Sequence, residues 1–133
     1  MHLGFTGTQK GMTPEQRNVI RDLLRSLTDV TVHYGDCIGA DNEFFEEALR
    51  CGAFTISHPP VNESKRAFTP AHVVLEAKDY IARNHDIVDA SVMLIAAPAE
   101  YGERLRSGTW ATIRYARKVG TPVMLIWPVG DVE

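Results

Sequence analysis

The amino-acid sequence predicts an α/β protein, a Rossmann-like three-layer αβα sandwich with a mostly parallel five-stranded sheet. Three observations predict this fold. Short apolar runs alternate with segments whose apolar residues recur at helical spacing. Most of these runs are joined by a predicted helix, the connection that parallel strands need. The chain has 133 residues, 44% of them hydrophobic, which is enough for one core and too little for two. We therefore expect residues 1–133 to form a single domain.

The first half of the chain predicts two strand–helix units and a third strand. The run 2–6 is typical of a buried strand, and the next helix begins at Thr13-Pro14, where threonine caps and proline fits the first turn. The β-branched run 30–34 leads through a glycine-rich loop into a second helix. The run 54–57 predicts the third strand.

The second half predicts two more helices and two more strands. Thr69-Pro70 repeats the cap-and-proline start, and the apolar spacing after it predicts a helix that runs to about His85. The run 92–96 is the most apolar of the chain, which indicates a central strand covered on both faces. A helix over 109–119 and a strand over 122–127 complete the fold.

Composition narrows the classes of partner. The net charge is −3, so no overall basic field is available to hold a nucleic acid by counterion release. Cys37, Cys51 and the five histidines show neither disulfide nor metal-site spacing, so we expect no metal ion and no resident cofactor. No segment has the length or apolarity of a membrane span and no leader pattern is present, which predicts a cytoplasmic protein.

The glycine-rich loops are the predicted binding site. Ligands of open α/β sheets lie beyond the carboxyl ends of the strands, where the strand order reverses. A strand order of 3-2-1-4-5, taken by analogy, brings the loop 7–10 beside 106–109, where the first amides of a helix can hold a phosphate. The residues predicted to bind the ligand are Gly7, Thr8, Gln9, Lys10, Gly35, Asp36, Gly39, Ala40, Asp41, His58, Arg66, Asn84, Arg106, Ser107, Gly108, Thr109 and Trp110.

Each of these residue types also has a purely structural interpretation. Ser107 or Thr109 can cap the helix without binding anything, and Asp41 can cap the preceding one instead of accepting from a ribose hydroxyl. Trp110 can stack on a base or lie in the core. His58 can line the rim of the pocket or hold a turn. The sequence leaves these alternatives open.

Several ordered motifs resemble the SLOG superfamily, which joins the DNA-processing protein A family to the Lonely Guy phosphoribohydrolases. The strongest stretch starts at Arg83-Asn84, continues through the strand 92–96 and ends in the helix 106–116. The loop 35–41 and the segment 128–130 resemble the corresponding glycine loop and proline-glycine of DNA-processing protein A. The resemblance implies a Rossmann-like domain that binds a nucleotide or a nucleotide-derived molecule. Related proteins are often oligomeric, which is compatible with a homo-oligomer here.

The same motifs depart from the enzymes of that superfamily. Thr112 stands where Lonely Guy enzymes carry their catalytic glutamate, whereas Arg83 falls where those enzymes have an active-site arginine. The loop after Pro98 contains Glu100 and Glu103, either of which can supply a carboxylate from another position. The sequence therefore favours a binding or sensing module. The alternatives are an N-glycosidic hydrolase or transferase acting on nucleoside monophosphates through Arg83, Glu100 and Glu103, and a single-stranded DNA-binding protein.

Overall fold

Six strands and four α-helices make up the computed structural model, which describes all 133 residues. Three of the helices begin at a residue whose side chain caps them, and α2 begins after Gly39, which has no side chain to do so. A single 3₁₀ turn, Glu63–Lys65, interrupts the longest connection. In chain order the elements are β1 (His2–Gly7), α1 (Pro14–Arg25), β2 (Thr31–Tyr34), α2 (Ala40–Arg50), β3 (Phe54–Ser57), β4 (Val73–Val74), α3 (Tyr80–Asp89), β5 (Met93–Ala97), α4 (Gly108–Val119) and β6 (Val123–Leu125).

The strands form one parallel sheet in the order β4-β3-β2-β1-β5-β6. The predicted α/β fold class and the predicted order of the five strands are confirmed, with β4 added at one edge. The chain winds outward from β1 to β4 and then returns to the other side of β1. The order therefore reverses between β1 and β5, and a crevice opens beyond the carboxyl ends of these two strands.

The prediction of one helix from Thr69-Pro70 to His85 is wrong. This stretch contains β4 at Val73–Val74 and only then α3, whose N-cap is Asp79. Thr69 cannot cap a helix because its hydroxyl donates to Asp36 Oδ1, at 2.6 Å, and accepts from Tyr34. Val73 and Val74 instead extend the sheet beside β3. The sheet thus has six strands rather than five.

Two apolar layers cover the sheet. On one face, α1 and α2 pack against the strands through side chains that include Ile20, Leu24 and Phe44. On the other face, α3 and α4 form a smaller cluster around Ile87 and Ile113. This is the predicted three-layer arrangement. None of the helices is long and apolar enough to cross a membrane.

The two outer edges of the sheet differ. Along β6, the last residues of the chain run antiparallel to the strand, and Leu125 and Glu133 exchange two backbone hydrogen bonds of 3.0 and 2.8 Å. Along the opposite edge, β4 is two residues long, and Val73 and Val74 are 36% and 50% exposed. One edge is therefore covered by the chain itself, and the other is short and open.

Candidate ligand-binding cleft

A cleft of about 700 Å³ lies at the carboxyl ends of β1 and β5, where the strand order reverses. One wall is the loop that follows β1, and a second is the start of α4. The third consists of the segment 60–65 together with Asp79 and Tyr80. The structure brings together in this cleft ten of the predicted site residues: Gly7, Thr8, Gln9, Lys10, Glu100, Arg106, Ser107, Gly108, Thr109 and Trp110.

The start of α4 has the geometry of an anion-binding helix terminus. Ser107 is the N-cap, and its hydroxyl accepts from the amide of Trp110 at 3.2 Å. The amides of Gly108 and Thr109 make no hydrogen bond within the protein. Two free amides at the positive end of a helix dipole favour a negatively charged group. Ser107 therefore caps the helix and leaves its first two amides without a partner in the protein.

The cleft is basic although the chain as a whole is acidic. Lys10, Lys65, Arg104 and Arg106 line it, against Asp79 and Glu100. Arg104 pairs with Glu100, while Lys10, Lys65 and Arg106 form no salt bridge. These cations lie on three different walls. Their convergence on one opening favours an anionic ligand.

Tyr80 is a cleft residue that sequence reasoning missed as part of the site. A Cβ placed on Gly108 would lie 1.7 Å from the Tyr80 hydroxyl, so only glycine allows this ring to reach the start of α4. The Arg83 guanidinium stacks over the same ring at 4.7 Å, and burial raises the pKa of the Tyr80 hydroxyl. The predicted close approach at Gly108 is real, but the group that approaches is a tyrosine of the protein. The wrongly predicted helix concealed this contact.

Other glycines of the predicted loops also make room for protein atoms. A Cβ on Gly39 would lie 2.3 Å from the carbonyl oxygen of Gln9, and its φ of +99° favours glycine. A Cβ on Gly35 would lie 2.6 Å from Nη1 of Arg83. In the same region, the Ala40 amide donates to the Thr8 carbonyl at 3.0 Å. The close approach at Gly39 and the Ala40–Thr8 hydrogen bond hold the loop after β2 against the loop after β1, which forms one wall of the cleft.

The contacts of the Asp36 carboxylate are with other groups of the protein. Asp36 is fully buried, and its carboxylate accepts from the amide and hydroxyl of Thr69 and from Arg66 Nε at 3.2 Å. Arg66 also lies over the ring of Phe68, 4.5 Å from its centroid. Neither Asp36 nor Arg66 lines the cleft. Together they hold the long segment after β3 against the end of β2.

Beneath the cleft lies a narrow space of about 20 Å³, which we call the inner crevice; its lining includes Gly35, Cys37, Asp41, Tyr80, Arg83 and Asn84. Arg83 Nη1 donates to the Gly35 carbonyl at 2.6 Å and to Cys37 Sγ at 3.1 Å. Asp41 accepts from the Cys37 amide, and burial raises the pKa of this carboxyl to about 6. Asp41 does not cap α2, whose N-cap is Gly39. Burial also raises the pKa of the Cys37 thiol, which is packed rather than activated.

The remaining predicted residues divide between the cleft and other places. Glu100 lines the cleft, whereas Glu103 pairs with Arg114 at 2.8 Å and does not line it. Trp110 is 4% exposed and belongs to the core cluster under α4, which leaves it little area for stacking on a base. His58 is buried away from the cleft against His33. No group of three or more His, Cys, Asp or Glu side chains is arranged to hold a metal ion.

Solved structures share this fold. The molybdenum cofactor binding protein from Rippkaea orientalis matches with a TM-score of 0.74 at 20% identity, over 95% of this chain and 76% of that one. DNA processing protein A from Streptococcus pneumoniae matches with a TM-score of 0.73 at 18% identity, over 93% of this chain and 49% of that one. DNA processing protein A from Helicobacter pylori, described for its single-stranded DNA binding mode, matches at 0.68 and 20% identity, over 94% and 64%. No protein-family model and no curated protein matches the sequence.

The fold is therefore Rossmann-like, and the R. orientalis protein and DNA processing protein A are among the proteins that share it. At 18 to 20% identity these likenesses concern the fold. The chain spans about half the length of the S. pneumoniae protein. Because one fold serves many functions, what this chain binds has to be argued from its own cleft.

Proposed function

We propose that this protein binds a nucleotide or a nucleotide-derived small molecule in the cleft, with a phosphate at the start of α4. The observation that carries the proposal is the pair of free amides at Gly108 and Thr109, which face a cleft lined by unpaired cations. A phosphate there would accept from both amides and gain from the helix dipole. Lys10 and Arg106 would neutralise its charge.

The size and walls of the cleft support a ligand larger than phosphate alone. A volume of about 700 Å³ falls within the range of small-molecule sites. Tyr80 is 40% exposed, lines the cleft and offers ring surface to a base or another flat group. Asn62 Nδ2 makes no hydrogen bond within the protein and can donate to a ring acceptor. Phosphate and ring would thus contact different walls.

The binding proposal is tested with two substitutions at the same residue. Ser107→Asp and Ser107→Asn both keep a side chain that caps helices well, but only the first adds a negative charge beside the two free amides. We expect Ser107→Asp to weaken the binding of AMP by at least about 10-fold, because like charges would then face each other. We expect Ser107→Asn to remain within about 3-fold of the wild type. Isothermal titration calorimetry measures both affinities, and thermal melting checks that the two variants are equally stable.

The ligand class is tested in the same assay. AMP, GMP, ribose 5-phosphate and the molybdenum cofactor, to which the R. orientalis protein owes its description, would be compared with the nucleoside adenosine. Phosphorylated ligands should bind more tightly than adenosine. The proposal is abandoned if no phosphorylated ligand binds, or if Ser107→Asp and Ser107→Asn bind equally well. A single-stranded oligonucleotide that binds with a steep salt dependence would instead indicate the nucleic-acid function described for the H. pylori protein.

A hydrolytic function is the second candidate, and the position of Glu100 in the cleft favours it. Thr112, at the position of the Lonely Guy glutamate, is 1% exposed and donates its hydroxyl to the Gly108 carbonyl, so it has no free group for catalysis. Glu100 would stabilise the positive charge that builds on the ribose as the bond to the base breaks. Glu103 does not line the cleft and has no such access.

The hydrolytic candidate predicts release of free base from a nucleoside monophosphate. Glu100→Gln should then slow the release by about 10²-fold or more, the usual effect of losing an acid–base group. Glu103→Gln is the matched control, since it removes the same charge from the same loop outside the cleft, and it should retain the wild-type rate. Chromatographic detection of base from AMP measures both rates. Equal rates for wild type and Glu100→Gln would remove Glu100 from the reaction.

A further inference from the structure

A second pocket, of about 220 Å³, lies outside the cleft between the end of β3, the segment after β4 and the first turns of α3. Its lining shares no residue with the lining of the cleft. Six residues line it: His58, Leu75, Glu76, Lys78, Arg83 and Asp86. Five of the six have side chains that can carry a charge.

Arg83 is the buried cation of this pocket. It is 4% exposed, and its Nε has no hydrogen-bond partner although it is shielded from water. Nη1 bonds to the Gly35 carbonyl and to Cys37 Sγ, while Nη2 makes no hydrogen bond. No carboxylate forms a salt bridge with this guanidinium. Its Nε–Nη2 edge, the side of arginine that receives a carboxylate in a bidentate manner, is therefore unpartnered. A buried unpaired charge is costly, and an incoming anion would remove that cost.

Of the other three charged side chains of the pocket, two pair with each other and one has no ion-pair partner. Lys78 and Asp86 pair with each other at 2.6 Å, so they neutralise one another. Glu76 is exposed and forms no salt bridge. One cation, Arg83, and one anion, Glu76, remain without a partner in the same small space. The complementary ligand therefore carries both charges.

His58 adds an oriented donor. Its Nε2 lies 2.9 Å from Nδ1 of His33, and Nε2 of His33 lies 2.8 Å from Nδ1 of His2. Burial lowers the pKa of both His33 and His58 to about 4, so these rings are neutral near pH 7. Neutral rings in such a chain must all adopt the same tautomer, because each bond needs one donor and one acceptor. When His58 Nδ1 carries a proton it can donate into the pocket, and His33 and His2 then also carry theirs on Nδ1.

We propose that this pocket binds a small zwitterion of the α-amino acid class, with its carboxylate on Arg83 and His58 and its ammonium group facing Glu76. The carboxylate accepts one hydrogen bond from Nη2 of Arg83 and one from the protonated Nδ1 of His58. The aliphatic side chain of Leu75 leaves room for a small apolar substituent. Such a ligand satisfies every unpaired charge of the pocket, which neither a simple anion nor a simple amine does.

The test uses L-alanine as the probe, with propionate and ethylamine as the molecules that lack one charge each. Isothermal titration calorimetry on the full chain should give L-alanine an affinity about 5-fold above that of propionate or of ethylamine, since each charge–charge contact contributes about 1 kcal/mol. Glu76→Gln should weaken L-alanine by about 3- to 5-fold and leave propionate unchanged. Glu63→Gln, an equivalent loss of one exposed carboxylate outside the pocket, should change neither. Both substitutions are at exposed positions and leave the core intact.

A second readout follows the histidines. In ¹⁵N spectra, L-alanine should shift His58 and His33 toward the tautomer with the proton on Nδ1, which a weak surface association would not do. The proposal is overturned if L-alanine binds no better than propionate, if Glu76→Gln has no effect, or if the histidine tautomers do not change. Ser107→Asp, which disables the cleft, should still bind L-alanine, so a failure of one site does not affect the test of the other.

Discussion

Gly39 illustrates how much a single backbone position contributes to the cleft. It has φ +99° and contacts the backbone of Gln9, and the neighbouring Ala40 amide bonds to Thr8. Glycine is needed here for two reasons at once, conformation and space. The first wall of the cleft depends on this contact, because the loop after β1 carries Lys10 and the loop after β2 holds it in place.

Gly39→Ala should lower the free energy of unfolding by more than about 3 kcal/mol, because strain from a positive φ, about 1–3 kcal/mol, adds to a clash with backbone that cannot move aside. Gly52→Ala is the control. Gly52 also has a positive φ, of +77°, but a Cβ there meets nothing within 4 Å. It should lose only about 1 kcal/mol. Urea unfolding measures both, and equal losses would show that the contact with Gln9 is unimportant.

At the scale of elements, two identical dipeptides have different outcomes. Thr13-Pro14 starts α1 as predicted, with a full capping box between Thr13 and Gln16. Thr69-Pro70 starts no helix, because the Thr69 hydroxyl is hydrogen-bonded to Asp36 and Tyr34 and is not available to cap one. Asp36 lies 33 residues earlier in the chain, so local sequence could not reveal the competition. Helices whose caps are used locally were predictable, and the element governed by a distant carboxylate was not.

The cap of α1 gives a direct test. Thr13→Ala removes an acceptor from the Gln16 amide and a hydroxyl that donates to the Pro128 carbonyl at 2.5 Å. It should lower the free energy of unfolding by about 1–2 kcal/mol. Thr13→Ser keeps the hydroxyl and should lose less than about 0.5 kcal/mol. Urea denaturation of both variants checks this, and a full loss in Thr13→Ser would point to the methyl group instead of the cap.

For the whole molecule, buried titratable groups make stability depend on pH. The pKa of His33 and of His58 is lowered by burial to about 4, so the folded state binds fewer protons than the unfolded state between pH 6.5 and 4 and loses stability as the pH falls. The pKa of Asp41 is raised to about 6, which acts in the opposite direction, since this carboxyl stabilises the fold as it becomes protonated. The stability lost through the two histidines as the pH falls is larger than the stability gained through the one aspartate.

The free energy of unfolding should therefore fall by about 2 kcal/mol between pH 6.5 and pH 5. Asp41→Asn keeps an oxygen for the Cys37 amide and removes the opposing titration, so the fall should steepen to about 3 kcal/mol. Urea unfolding at the two pH values measures both slopes. A flat profile in the wild type, or a shallower one in Asp41→Asn, would contradict the assignment of these groups.

The site was predictable to the extent that strand order determines it. Five strands and their order place the loop 7–10 next to the start of α4, and the structure confirms both the order and the proximity. The loop after β2 was harder to interpret, because glycine and aspartate occur both in ligand loops and in tight packing. Gly35 and Asp36 turned out to contact Arg83 and Thr69. Tyr80 and Glu76 were missed because the stretch containing them was predicted as one continuous helix.

The unequal edges of the sheet bear on how copies of this chain can associate by adding strands. An open strand edge is a template for another strand, and proteins commonly block or shorten such edges. Here Glu133 bonds to both backbone groups of Leu125, so part of the outer edge of β6 is already used within the chain. The β4 edge remains available, but with two residues it offers few hydrogen bonds. Edge-to-edge pairing of sheets is therefore hindered at one edge and weak at the other, which disfavours aggregation by strand addition.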